Sequence, residues 1–217
     1  AERCTVPLVA GINRAINLEQ AHGFLAEHGA VMLKALAGGG GRGMRAVFEP
    51  ATLAEAYARC QSEAQAAFGN GALYIEQLVS DARHIEVQVL GDGSGAVSHL
   101  WERDCSLQRR NQKLVEIAPS PDLDSGVRDA MIAAALQLAA EVKYCGIGTF
   151  EFLLDAAQPG RFYFMEANPR VQVEHTVSEQ VTGIDLLHTQ LKLVAGQSLA
   201  AHGLLQPPAL QGIPVQH

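Results

Sequence analysis

The sequence predicts an α+β protein in which antiparallel hairpins are separated by helices. Two turn-rich segments, residues 92–95 (DGSG) and residues 156–161, each lie between apolar runs that have the alternating pattern of strands. Stretches with helical spacing lie beside these hairpins and between them. Hairpins that alternate with helices in this way favour an α+β arrangement over a doubly wound parallel sheet.

The composition is that of a soluble globular protein. Hydrophobic residues make up 48% of the 217 residues and charged residues 18%, and no apolar run reaches the length of a membrane span. The net charge of −7 argues against nucleic-acid binding, and we expect no membrane partner. The basic residues are concentrated in two places, which fits either a local anionic ligand or solvated patches. They are Arg42 and Arg45, and then Arg103, Arg109, Arg110 and Lys113.

The cysteines are scattered along the chain. Cys4, Cys60, Cys105 and Cys145 form no C-x-x-C pair, and their spacing does not match a zinc site. We therefore expect reduced thiols and a cytoplasmic protein.

Residues 1–78 are predicted to form a small α/β unit. Asn17 and Gln20 have the pattern of a capping box at the start of the first helix, and Thr52 and Glu55 repeat it at the start of the second. The predicted elements, in order, are a helix over 18–28, a strand over 30–35, a glycine-rich loop over 38–44, a strand over 45–48 and a helix ending at residue 68.

Residues 79–217 are predicted to form a larger unit with a mainly antiparallel sheet. In the strand over residues 83–90, the polar side chains of His84, Glu86 and Gln88 share one face. A predicted strand over 72–79 precedes this unit. The other predicted elements of the unit are strands over 96–102 and 148–155 and one beginning at 162, helices over 122–143 and over 176–195 with a break near 183, and irregular segments over 104–121 and 196–217.

The glycine-rich loop is predicted to bind phosphate. It lacks the Gly-Lys-Ser/Thr of a P-loop, and no helix follows it directly, which excludes a dinucleotide fingerprint. Its backbone amides can approach an anion closely, and Lys34 adds a point charge just before it. The alternative is a mobile hairpin tip without a ligand, whereas the functional interpretation is a lid that closes on substrate.

Two glutamates are predicted to face each other across the second hairpin. If Asp155 lies opposite Phe162, then Glu151 lies opposite Glu166. Like charges directly opposed on a sheet are destabilising, so this pair needs a cation. Carboxylates without a nearby Cys or His favour Mg²⁺ or Mn²⁺ over zinc, and protein-bound Mg²⁺ usually carries nucleotide phosphates.

Polar residues at every second position from 166 to 174 predict one functional face on an extended chain. The guanidinium of Arg170 can bind a planar oxyanion bidentately, and Glu174 can accept a proton from that anion. The alternative is an ordinary solvated strand face. The functional interpretation is phosphoryl transfer from a Mg-nucleotide to a small planar oxyanion. The polar residues are Glu166, Asn168, Arg170, Gln172 and Glu174.

Three other places carry weaker signals. Residues 76–78 can offer backbone groups to an adenine, as any strand can. His84 lies on a polar strand face, where a histidine is more often structural than catalytic. Residues 108–113 form a polar, cationic loop whose side chains can donate to oxyanions.

Five sequence motifs follow one another over nearly all of the chain. They are KALAGGGGRGMR from Lys34, RHIEVQVLGDGSG from Arg83, ERDCSLQRRNQK from Glu102, GTFEFL from Gly148 and MEANPRVQVEH from Met165. In this order they resemble the biotin carboxylase family of ATP-grasp enzymes. Carbamoyl phosphate synthases share the ATP-grasp fold, but the QRRxQK and RxQVEH strings resemble biotin carboxylase. The implied fold has a small α/β lid subdomain at residues 1–78 and a larger catalytic subdomain at residues 79–217, incomplete at its C-terminus.

The resemblance also implies roles for individual residues. Glu174 would be the catalytic base, with Arg170 as the second catalytic residue. Gln77 and Asn111 stand where family members often have lysine and histidine. The implied ATP contacts are Lys34, Gly40, Gly41, Glu76, Gln77, Leu78, His84, Gln108, Asn111, Glu151 and Glu166. The implied bicarbonate contacts are Lys113, Arg170, Gln172 and Val173, and the implied ligands of Mg²⁺ or Mn²⁺ are Glu151, Glu166 and Asn168.

The implied reaction is the ATP-dependent carboxylation of biotin with bicarbonate through carboxyphosphate. Its cofactors would be ATP, Mg²⁺ or Mn²⁺, and biotin on a carboxyl carrier domain. A carboxyltransferase component would be a further partner, and the full-length enzyme would be a homo-oligomer. Family members also have an N-terminal Rossmann-like domain and a C-terminal part, so we expect this chain alone to turn over poorly or not at all. Biotin-dependent ATPase activity at normal rates from the isolated chain would refute that expectation.

Two alternatives to biotin carboxylation stay open at this point. One is another ATP-grasp ligase, such as a carbamoyl phosphate synthase, and the other is a nucleotide-binding regulatory module without turnover. The final carboxyl acceptor also stays open, because acetyl-CoA, propionyl-CoA, pyruvate and urea carboxylases share this region.

Overall fold

The computed structural model describes residues 1–38, 42–109 and 112–212, together with the backbone of residues 215 and 216. The chain forms two compact units, one of Val9–Ser80 and a larger one of Ala1–Leu8 with Asp81–His217. Residues 1–8 therefore pack with the larger unit, whereas the sequence analysis grouped them with the smaller one. They do so because Leu8 forms a parallel bridge with Phe164, whose N–H donates to the carbonyl of Pro7 at 2.8 Å.

The smaller unit has an antiparallel sheet with the strand order β1-β4-β2-β3 among the described residues. Helices α1 and α2 pack on this sheet and enclose a core that includes Leu33, Leu53 and Ile75, each fully buried. The elements are β1 (Gly11–Ile12), α1 (Leu18–His28), β2 (Val31–Ala35), β3 (Met44–Val47), α2 (Pro50–Phe68) and β4 (Leu73–Gln77).

Capping boxes were predicted at the starts of both helices in this unit, and only one of them is present. The capping box of α1 is confirmed, because the Asn17 side chain accepts from the Gln20 N–H while the Gln20 side chain accepts from the Asn17 N–H. The predicted capping box of α2 is wrong. The helix begins three residues earlier, at Pro50 after the N-cap Glu49, and the Thr52 hydroxyl donates to the Glu49 carbonyl. A proline in the first turn has a preset φ and lacks only an N–H that would have no helical partner.

The larger unit has an antiparallel sheet with the order β10-β7-β6-β5-β8-β9 among the described residues. Helix α3 packs on one face of it, over Ile85, Val87 and Phe152. The elements are β5 (Ala82–Asp92), β6 (Val97–Arg109), β7 (Gln112–Ile117), α3 (Ser125–Glu141), β8 (Cys145–Asp155), β9 (Phe162–Asn168), α4 (His175–Thr182), α5 (Leu186–Val194) and β10 (Val215–Gln216). No helix in the described part of the chain is long and apolar enough to cross a membrane.

The prediction that residues 104–121 are irregular is wrong. Strand β6 continues to Arg109, and β7 covers Gln112–Ile117. Their many charged side chains suggested a solvated loop, but in the structure Asp104 and Lys113 are in ion pairs. Arg83 Nη2, for example, lies 2.6 Å from Asp104 Oδ2 on the adjacent strand.

The pairing of β8 with β9 confirms that Glu151 lies opposite Glu166. The pairing assumed for the first residue of β9 is wrong by one residue, because Phe162 lies opposite Leu154 and not Asp155. A β-bulge between Glu151 and Phe152 makes up the difference. Such a bulge sets two residues of one strand against one of its partner, so it shifts the register by one.

A buried histidine in the β5–β6 hairpin makes stability depend on pH. His99 Nδ1 accepts the N–H of Trp101 at 3.1 Å, and Trp101 has a left-handed backbone with φ 62°. His99 is 8% exposed, and this burial lowers its pKa from 6.5 to about 4, against the smaller opposite effect of Asp129. Between those two pH values the unfolded chain binds a proton that the folded chain does not.

We therefore expect the free energy of unfolding to be unaffected by His99 above pH 6.5 and to fall as the pH falls toward 4. The expected slope is about 1.4 kcal/mol per pH unit. Urea unfolding over this range, followed by the fluorescence of the single tryptophan, measures it. A His99→Gln variant should lose this part of the slope, and an unchanged slope would contradict the assignment.

Candidate active site

The face of the larger sheet opposite α3 carries buried polar side chains. On β5, His84, Glu86 and Gln88 point to this face while Ile85 and Val87 enter the hydrophobic core, as the alternation predicted. Glu151 on β8 pairs in register with Glu86, so the two carboxylates are neighbours. Glu86 is fully buried and Glu151 is 3% exposed. Acids buried this deeply need charged partners.

Lys113 on β7 is the principal partner of these acids. Its Nζ donates to Glu86 Oε2 at 2.5 Å, to Glu174 Oε1 at 2.6 Å and to Glu151 Oε1 at 3.1 Å. One ammonium thus joins three carboxylates from three separate segments of the chain. This arrangement uses all three of its N–H donors.

The charges in this cluster shift the pKa values of Lys113, Glu86 and Glu151. Burial opposes the charged form of each group, but the ion pairs outweigh it. The pKa of Glu86 is lowered by the charges of Arg103 and Lys113, and that of Lys113 is raised by Glu86 first. For Glu151, the His84 hydrogen bond has the largest effect against burial and brings the pKa down to about 2. Lys113 and its partners Glu86 and Glu151 are therefore ionised at neutral pH.

His84 links the carboxylate cluster to Gln108. Its Nε2 and Glu151 Oε2 are 2.8 Å apart, and its Nδ1 is 2.8 Å from Gln108 Nε2. An amide nitrogen only donates, so Nδ1 is the acceptor and the ring proton lies on Nε2, where it is donated to Glu151. The histidine thus has a defined orienting role, and it brings two of the predicted ATP contacts together.

The extended face predicted from Glu166 to Glu174 is only partly correct. Strand β9 ends at Asn168, before Pro169, and Glu174 is the residue that precedes α4. Proline has no N–H for a sheet ladder, which favours the end of the strand there.

The turn after β9 still delivers most of the predicted side chains. Gln172 Nε2 donates to Glu151 Oε1 at 3.0 Å, and Glu174 accepts from Lys113. Two of the predicted bicarbonate contacts are exposed instead. Arg170 Nη1 donates to the neighbouring carbonyl of Val171 at 3.3 Å, and Val173 is 81% exposed.

The donor set fits a hard divalent ion at Glu151 and Glu166. Asn168 Nδ2 donates to Oε1 of both glutamates, at 3.0 and 3.2 Å, so one side-chain amide bridges the two predicted ligands. Carboxylates outnumber cations here, because Glu86, Glu151, Glu166, Glu174 and the nearby buried Glu116 accompany only Lys113 and Arg103. A divalent ion would offset part of this negative charge, and all-oxygen ligands suit Mg²⁺ or Mn²⁺.

Two other groups of potential ligands meet among the described residues, but both suit a metal less well. His84, Glu86 and Glu151 form one, and Glu86, Cys105 and Glu174 form the other. Glu86, common to both, already pairs with the fully buried Arg103, whose charge would repel a metal ion. Burial raises the pKa of Cys105 most strongly, so its thiol is neutral and a poor ligand.

The remaining predicted ATP contacts lie in the smaller unit or outside the described residues. Lys34 on β2 forms an ion pair with Glu76 on β4. The N–H groups of Gln77 and Leu78 donate to the carbonyls of Ala10 and Ala30, so these N–H groups are not available to a base. Gly40, Gly41 and Asn111 lie outside the described residues.

Sequence reasoning gave no role to two residues at the centre of the cluster. Glu86 was placed on the correct strand face, and Arg103 was counted only among the basic residues. The available signal was the period-two pattern of β5, which puts Glu86 between His84 and Gln88. No local pattern marks Arg103, because its partners come from strands and a helix far away in sequence.

Comparisons with known proteins show the family and the fold of this chain. The family described as "Carbamoyl-phosphate synthase L chain, ATP binding domain" matches residues 1–202. The chain belongs to this family. Pyruvate carboxylase of Schizosaccharomyces pombe is 51% identical over 208 residues, which make up 95% of this chain and 17% of that protein. The mitochondrial pyruvate carboxylase of Rattus norvegicus is 51% identical over 203 residues, 93% of this chain and 17% of the relative.

Solved biotin carboxylases have the same fold. The Campylobacter jejuni biotin carboxylase in complex with β,γ-ATP superposes with a TM-score of 0.92 at 44% identity, over 99% of this chain and 47% of that one. The biotin carboxylase domain of Hydrogenobacter thermophilus 2-oxoglutarate carboxylase, with MgADP, ADP and bicarbonate, gives 0.90 at 42% identity, again over 99% and 47%. The predicted ATP-grasp fold and its biotin carboxylase type are therefore confirmed. The chain spans about half of these structures and 17% of the curated relatives.

Proposed function

We propose that the protein containing this chain carboxylates biotin, using ATP and bicarbonate, through carboxyphosphate. The observation that carries the proposal is the position of Lys113, whose Nζ contacts both the proposed base Glu174 and the proposed metal ligand Glu151. A cation between a base and a metal site can hold a small anion beside the γ-phosphate of a bound nucleotide. The biotin carboxylase structures with ATP and with bicarbonate support this assignment.

In the first step, Glu174 removes the proton of bicarbonate, and a bicarbonate oxygen attacks the γ-phosphate of ATP. ADP leaves and carboxyphosphate forms. Lys113 offsets the negative charge of the anion, and the buried side-chain amide of Gln172 is a further contact proposed for bicarbonate. Arg170, exposed in this structure, would supply the second cation that binds the anion.

In the second step, carboxyphosphate decomposes to CO₂ and phosphate. Phosphate takes the proton from the ureido nitrogen of biotin, and that nitrogen attacks CO₂ to give carboxybiotin. The role of Lys34 is to bind phosphate oxygens, together with the backbone of the glycine-rich loop. Glu151, Glu166 and Asn168 would hold a divalent ion, which would supply positive charge to the phosphates.

We extend the proposal to the partners of the full-length protein. A biotin carboxyl carrier domain presents the biotin, a carboxyltransferase component uses the carboxybiotin, and the enzyme is a cytoplasmic homo-oligomer. The pyruvate carboxylases among the relatives favour pyruvate as the final acceptor. Comparing carboxyl transfer to pyruvate, acetyl-CoA, propionyl-CoA and urea in the full-length protein tests this choice.

The decisive experiment measures ATP cleavage by the full-length protein with and without bicarbonate and free biotin. We expect cleavage that requires bicarbonate and increases with biotin. A carbamoyl phosphate synthase would respond to an ammonia source and not to biotin, and a regulatory module would bind Mg·ATP without releasing ADP. Either of these results would overturn the proposal.

A further inference from the structure

Arg103 on β6 is a fully buried arginine whose guanidinium contacts other strands and a helix. Its Nε donates to Glu86 Oε1 at 2.6 Å, and its Nη1 donates to Gln88 Oε1 at 2.8 Å and to Ser178 Oγ at 2.7 Å. A longer contact of 3.4 Å joins Nη2 to Thr149 Oγ1. Strands β5 and β8 and helix α4 therefore converge on this one side chain.

Arg103 is linked to Lys113 through Glu86. Arg103 binds Oε1 of Glu86, and Lys113 binds Oε2 of the same carboxylate at 2.5 Å. The carboxylate therefore has one oxygen fixed by a buried guanidinium and presents the other to the ammonium. A planar guanidinium fixes the orientation of its partner more tightly than a flexible ammonium does. Arg103 thus determines where Glu86 holds Lys113.

Arg103 is also linked to Glu174, through Ser178 on helix α4. Ser178 lies four residues after Glu174, one turn into α4, on a helix that begins directly after the glutamate. Because the backbone of Glu174 runs directly into α4, the position of this helix sets the point from which the carboxylate reaches Lys113. Arg103 binds this helix through Ser178 with the same nitrogen that binds Gln88.

We propose that Arg103 is a positioning residue for the carboxylation reaction, because it fixes Lys113 through Glu86 and Glu174 through Ser178. This inference rests on the proposed function. Stability alone is a poor explanation of Arg103, since buried ion pairs often contribute no more than well-packed apolar side chains of similar volume. A misplacement of about 1 Å in a reacting group can cost about 10²-fold in rate.

The test uses the full-length protein with Arg103→Lys, which keeps the charge but loses the planar fork. We expect kcat for bicarbonate-dependent ATP cleavage to fall by about 10- to 100-fold, with the KM for Mg·ATP unchanged. Ser178→Ala removes only the contact to α4 and should lower kcat less, again without changing that KM. This second variant keeps the test available if Arg103→Lys does not fold.

Arg128→Lys is the matched control, because Arg128 Nε donates to the buried Glu102 at 2.8 Å in the same unit but outside the cluster. We expect it to lower the unfolding temperature without lowering kcat. The inference would be overturned if folded Arg103→Lys or Ser178→Ala kept the wild-type kcat, or if all three variants lost kcat equally. The proposed function would stand in either case. A wild-type protein without bicarbonate-dependent, biotin-stimulated cleavage would overturn the proposed function, and the inference with it.

Discussion

Replacing Glu174 with glutamine is expected to abolish most of the bicarbonate-dependent ATP cleavage of the full-length protein. Glutamine has nearly the same shape and can still accept from Lys113 Nζ, which lies 2.6 Å from the Glu174 carboxylate. It cannot take a proton from bicarbonate, so the attacking oxygen stays protonated. Loss of a general base costs typically about 10²- to 10⁴-fold in rate. Steady-state kinetics should show this loss in kcat with little change in the KM for Mg·ATP.

Glu179→Gln provides the control for this result. Glu179 lies on the same helix, and its Oε1 accepts the N–H of Leu186 at 2.7 Å, which a glutamine oxygen can also do. We expect this variant to retain wild-type activity. If Glu174→Gln also remained fully active, another group would have to deprotonate bicarbonate, and the assignment of the base would be wrong.

Replacing Glu151 with glutamine should weaken the binding of the divalent ion and with it catalysis. Glu151 is 3% exposed, lies opposite Glu166 and has its pKa lowered to about 2, so it offers a full negative charge at neutral pH. The variant keeps the size of the side chain but removes that charge. Mutation of residues outside the first coordination sphere already lowers metal affinity by about 10- to 100-fold. We therefore expect Glu151→Gln to lower the affinity for the divalent ion by at least about 10-fold.

Mn²⁺ binding in the presence of ADP, followed by electron paramagnetic resonance, measures this loss independently of turnover. Glu166→Gln should produce a similar loss, because the two carboxylates face each other across β8 and β9. Glu141→Gln, at an exposed position on α3 paired only with Arg3 among the described residues, is the control and should bind Mn²⁺ normally. Unchanged Mn²⁺ affinity in both Glu151→Gln and Glu166→Gln would contradict the proposed metal site.

Local patterns predicted much of the candidate site. The alternation along β5 correctly placed His84, Glu86 and Gln88 on one face, because side chains of a strand alternate whatever the rest of the fold does. The pairing of Glu151 with Glu166 was also correct, although the assumed register was shifted and a bulge restored it. Backbone irregularities of this kind depend on how neighbouring strands twist and pack, and the sequence of one hairpin does not specify them.

The sequence by itself determined the family, the hairpin and helix order, and the residue types that can bind ATP, a divalent ion and bicarbonate, since these depend on local spacing and side-chain chemistry. Only the tertiary structure decided which of these groups meet. It brought Lys113 to Glu86, Glu151 and Glu174, left Arg170 exposed, and placed Arg103 at the centre of the cluster. The physical reason is burial: charges removed from water must pair with whichever opposite charges the packed strands and helix α4 bring within reach.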